Sequence, residues 1–67
     1  MLQGYELWLT DRRGHRAFRP VGARGPAEVM REARALLEAD SSLSEIAIEQ
    51  GGEQLMILQN VSAADGE

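Results

Sequence analysis

One stretch of this chain, and only one, carries a helical period. From Ala27 to Ala39 the larger apolar residues fall at Val29, Met30, Ala33, Leu36 and Leu37, a single stripe along a helix. Glu28, Arg31, Glu32, Arg34 and Glu38 take the remaining faces. Pro26 fits the first turn, where its missing N–H has no intrahelical partner. Everything before and after this segment reads as strands.

From Gln3 to Thr10 the residues alternate, with Tyr5, Leu7 and Leu9 on one side and Glu6, Trp8 and Thr10 on the other. Asp11-Arg12-Arg13-Gly14 follows with Asp at the first turn position and Gly where a left-handed residue is wanted. His15 to Val21 then forms a second strand anchored by Phe18. After the helix, Asp40 to Ser42 is a polar stop, and Leu43 to Gln50 alternates again with Ile46 and Ile48 on one face and Glu45 and Glu49 on the other. Gly51-Gly52 is a two-residue hairpin signal, because both central positions of a type I′ turn need a positive φ. Glu53 to Gln59 is the fourth strand, apolar on both faces at Leu55, Met56, Ile57 and Leu58.

The expected fold is therefore α+β, two hairpins joined by one helix in the order ββαββ. A helix between strands two and three makes those strands run the same way. Placing the most apolar strand inside gives a four-stranded mixed sheet in the order 2-1-4-3, with the helix on one face. In length and element order the chain resembles the small immunoglobulin-binding domains of the β-grasp fold, a resemblance of topology that carries no binding motif with it. A fainter resemblance, through Tyr5, Leu7, Asp11, Gly14 and the segment Ala33 to Leu37, is to short uncharacterised proteins of GC-rich bacteria that open with a Tyr-x-Leu strand and an Asp-x-x-Gly turn. It implies no activity. Ubiquitin-like carriers of the β-grasp class end in Gly-Gly, whereas this chain ends Asp65-Gly66-Glu67, so carrier chemistry is not expected.

With 67 residues the chain buries only about 60% of the surface its unfolded form exposes, and short chains compensate with disulfides, metals, tight packing or oligomerisation. There is no cysteine, and His15 is the one histidine, so neither a disulfide nor a zinc set is available. Residues 1–61 read as one domain and 62–67 as a tail. No apolar run approaches the ~20 residues of a membrane span, and no export signal is legible, so the expected compartment is the cytoplasm.

Little in the sequence points to catalysis. His15 sits after a hairpin turn, there is no lysine for Schiff-base chemistry, and the amino-terminal proline of small tautomerases is replaced by Leu2. Gly22-Ala23-Arg24-Gly25 feeds the helix but lacks the spacing of phosphate loops. No enzyme activity, cofactor or metal is expected. The charge is uneven: five arginines against Glu6 and Asp11 leave residues 1–25 at +3, while residues 26–67 stand at −7. Arg12, Arg13, Arg16, Arg19 and Arg24 could serve a nucleic acid, against which the net charge of −4 argues.

The expected function is a protein-interaction module, most simply a homodimer. If Leu7, Leu9, Leu55 and Ile57 meet the helical stripe, then Trp8, Met56 and Leu58 form an apolar patch on the outer face of the sheet. In the order 2-1-4-3 the third strand is an edge whose Ile46, Ala47 and Ile48 are guarded only by glutamates, which makes it a second candidate for pairing with another chain.

Overall fold

The computed structural model describes residues 1–60; the expected tail lies outside them. Four strands, β1 (Gln3–Asp11), β2 (Arg16–Ala23), β3 (Leu43–Gln50) and β4 (Glu53–Gln59), form one sheet, and a single helix, α1 (Pro26–Ala39), lies on one face of it. The α+β class and the ββαββ order are those expected from the pattern.

The turns form for the reasons their residues supply. Gly14 takes φ +89° and its N–H donates to the carbonyl of Asp11 at 3.0 Å, while Asp11 Oδ1 accepts the N–H groups of Arg13 and His15, both at 2.9 Å. Gly51 and Gly52 both have positive φ, +61° and +85°, as a type I′ turn requires. Pro26 opens α1 behind an extended Gly25, and the carboxylate of Glu28 reaches back to accept the Arg24 N–H at 2.6 Å, satisfying an amide next to the helix start. At the other end Asp40 accepts the N–H and the hydroxyl of Ser42.

The strand order is β2-β1-β3-β4, with every neighbouring pair antiparallel. The expected order 2-1-4-3, with its parallel central pair, is incorrect, and so is the assignment of the third strand to an edge. Two physical reasons favour the observed arrangement. Ile48 and Ile46 stand opposite Leu7 and Leu9 across β1 and β3, joining the apolar faces of both strands under the helix. The crossover loops, Arg24-Gly25 and Asp40 to Ser42, are also short. With one strand between β2 and β3 the helix must travel about 10 Å sideways, and with two it must travel about 14 Å. Length of apolar run is thus a poor guide to position here: β3 is interior with Ile46, Ala47 and Ile48 all buried, and β4 is an edge.

The core lies between α1 and the inner face of the sheet. Val29, Ala33 and Leu37, spaced by four, are buried against Tyr5, Leu7, Leu43, Ile46 and Ile48, and Met30 and Leu36 flank them half-buried.

Candidate binding face of the sheet

Among the described residues nothing covers the sheet face opposite α1. Alternation from the buried Leu7 sends Trp8 to this side, as expected from the sequence. Its neighbours follow from pairing. Counting back from the Asp11 turn, Phe18 stands opposite Trp8 on β2; on the other side Ala47 of β3 stands opposite Trp8, and Ile57 of β4 stands opposite Ala47. Phe18, Trp8, Ala47 and Ile57 therefore make one unbroken apolar row across all four strands. Phe18 is 51% exposed and Ile57 45%, whereas Ala47, between larger neighbours, is only 5% exposed.

The aromatic end of the row is organised. The Trp8 and Phe18 rings lie 4.9 Å apart at 53°, a tilted contact, and the Arg16 guanidinium sits 4.9 Å from the Trp8 ring centroid. Polar rows run on either side. One reads Arg16, Thr10, Glu45, Gln59 and the other Pro20, Glu6, Glu49, Gln54. Glu6 and Glu49 are directly opposite, a like-charge cross-strand pair that the sheet itself does not favour. The face carries three carboxylates against one guanidinium.

Met56 and Leu58 were expected on this face and are on the other. They pair with Ile48 and Ile46 and pack against the core, while Leu55 and Ile57 face outward. The cause is a β-bulge. A regular hairpin about Gly51-Gly52 pairs Gln50 with Glu53 and, continuing, Ile48 with Leu55. The register slips by one residue between Ile48 and Glu49, so Ile48 meets Met56 instead. A slip of one exchanges the two faces of a strand. The bulge is invisible to alternation. Phe18, expected as the apolar anchor of the second strand, instead points outward and is half exposed, and counting pairs from the first turn is the signal that places it there.

The expected edge site of Ile46, Ala47 and Ile48 does not exist as an edge, because β3 is paired on both sides. Nor do the five arginines converge. Arg12 is tied to the loop after α1, its Nε donating to the Ser41 carbonyl at 2.7 Å. Arg13 is in the first turn, Arg16 is on the outer face, and Arg19 lies on the helix side in a cleft with Glu32 and Leu36. Arg24 follows β2 at the end away from that turn.

Two clefts of about 400 and 450 Å³ flank the helix, one over β4 and one over β2. His15 Nδ1 lies 3.5 Å from Asp11 Oδ2 in an exposed turn. The Ser42 hydroxyl donates to Asp40, and the Ser44 hydroxyl donates to the carbonyls of Thr10 and Asp11. Among the described residues there is no cluster of three or more metal-ligating side chains. Compared with models of protein families, with curated proteins and with solved structures, the chain matches none.

Proposed function

We propose that this chain is a non-catalytic protein-interaction module whose open sheet face takes a polypeptide that presents apolar side chains flanked by Lys or Arg. The observation that carries this reading is the apolar row Phe18, Trp8, Ala47 and Ile57, unbroken across the sheet and uncovered among the described residues. Trp and Phe side by side offer large contact area at low entropic cost, the usual make-up of a binding hot spot. The flanking Glu6, Glu45 and Glu49 choose the sign of the partner, since like-charged carboxylates on a face gain most from a cation set between them.

Charge also argues against a second copy as the occupant of this face. Stacking β3 over the partner's β1 sets Glu49 against a second Glu6, and stacking β3 over β3 sets Glu45 against Glu49. Nucleic acid meets the same difficulty, with three carboxylates near the aromatic pair and the arginines dispersed.

Trp8, the sole tryptophan, reports binding directly. A synthetic peptide of alternating leucine and lysine should shift its emission, and one of alternating leucine and glutamate should not. Phe18→Ser and the double variant Glu45→Lys, Glu49→Lys should each weaken the response about tenfold or more. Equal responses to the two peptides would refute the reading, and so would a response only to oligothymidylate.

A further inference from the structure

We infer that a second copy of this chain adds to the β4 edge, the two β4 strands pairing antiparallel about a two-fold axis that passes midway between Ile57 and its copy. The sheet has two edges, and they are unlike. β2 carries Arg16 and Arg19 and holds Pro20, which has no N–H to give a neighbouring strand. β4 from Leu55 to Gln59 has no charge, no proline and no glycine, so nothing on it opposes an added strand. Growth by β4 on β2 would run on without closing, and the guarded β2 disfavours it. Pairing of β4 with β4 closes after two copies.

The register follows from the faces. In an antiparallel pair about an axis normal to the sheet, opposite residues point to the same side, so one residue must face its own copy across the axis. Centred on Ile57, the pairing sets Met56 against Leu58 twice on the helix side. On the outer side it sets Ile57 against Ile57 and Leu55 against Gln59. Centred on Met56, it would set Leu58 against Gln54. The Ile57 register alone pairs every half-buried apolar residue of β4 with another, and it leaves Glu53, the one charge of β4, beyond the five paired positions. Two chains of net charge −4 thus meet along an uncharged seam. The apolar row then runs from Phe18 of one copy to Phe18 of the other across eight strands. The surface of the proposed function is doubled, although the seam itself stands on the edge and not on that reading.

The chain has no cysteine, so a disulfide trap has no background. Cα atoms opposite one another in an antiparallel pair lie about 4.5–5.5 Å apart, within disulfide reach. Under mild oxidation Ile57→Cys should give a covalent dimer and Phe18→Cys should not. In sedimentation of the full chain up to about 0.5 mM, the mass should rise from 7.4 kDa towards twice that, fall back for Ile57→Lys, and stay dimeric for Phe18→Lys. A wild-type chain that remains monomeric throughout overturns the inference. Dissociation by Phe18→Lys, or failure of Ile57→Cys to cross-link while a dimer is present, assigns the interface elsewhere and overturns it too. Peptide binding read at Trp8 in the wild-type chain, diluted to where sedimentation finds only monomer, separates the two proposals, because a monomer that still binds leaves the face intact when the seam is lost.

Discussion

Asp11 and Asp40 each close a loop with a single carboxylate. The backbone N–H of His15 is the main reason Asp11 titrates below the ordinary carboxylate range, with the Arg13 N–H and the His15 ring adding to it. For Asp40 the Ser42 hydroxyl comes first and its N–H second. A pKa that is lower folded than unfolded gives stability that is whole above the unfolded value and is lost as pH falls through the folded one. The window therefore lies below about pH 4. Thermal melts from pH 5 to pH 2 should show a shallower acid loss for Asp11→Asn combined with Asp40→Asn than for wild type; parallel curves would show that these loops contribute nothing. On the outer face, Ala47 fills the space between Trp8 and Ile57 with a single methyl. Ala47→Leu should therefore overpack an interior strand and cost about 1–3 kcal/mol in denaturant melts, although it adds an apolar group to an apolar row.

The hairpins divide at the level of the element. In the first, Asp11 and Gly14 fix a three-residue turn, and counting outward from it puts Phe18 beside Trp8 on the open face, where its apolar character alone suggests an anchor in the core. In the second, Gly51-Gly52 names the turn but not the register, because the bulge opposite Ile48 and Glu49 takes in one extra residue of β4. Leu55 is that surplus residue and is 38% exposed. Deleting Leu55 should yield a regular hairpin that still sends Met56 and Leu58 to the core. The deletion should fold with a melting temperature within a few degrees of wild type, and loss of cooperative folding would show that the bulge has a role beyond register.

For the molecule as a whole, the order of strands decides which residues matter. Ile46 lies in an interior strand with no exposure, so Ile46→Ala should cost about 2–5 kcal/mol, enough to threaten a chain of this size. Leu58, half-buried on an edge, should cost less than half as much when truncated. An interior β4, as the length of its apolar run suggests, would reverse that ranking. Hydrogen exchange gives an independent reading. Amides of β3 should be the slowest, and alternate amides of β4 should exchange quickly in dilute solution and slow down as concentration rises if the edge seam forms.

Local chemistry carries the elements. Two hairpin turns, a proline-started helix and the Leu7, Leu9, Ile46 and Ile48 positions can be read from residue type and spacing, because each depends on backbone conformation or periodicity within about a dozen neighbouring residues. The outward direction of Trp8 belongs with them. The order β2-β1-β3-β4 and the inward turn of Met56 and Leu58 do not. Both depend on which strands meet across the helix and on a one-residue slip, and alternation has the same period whichever neighbour a strand takes. The order was decided by the fit of Leu7 and Leu9 to Ile48 and Ile46 and by the short crossover loops, and the facing of β4 by the bulge opposite Ile48 and Glu49. The composition of the open face, Phe18 and Ile57 with Trp8 and not Met56 and Leu58 with Trp8, is thus a product of tertiary pairing.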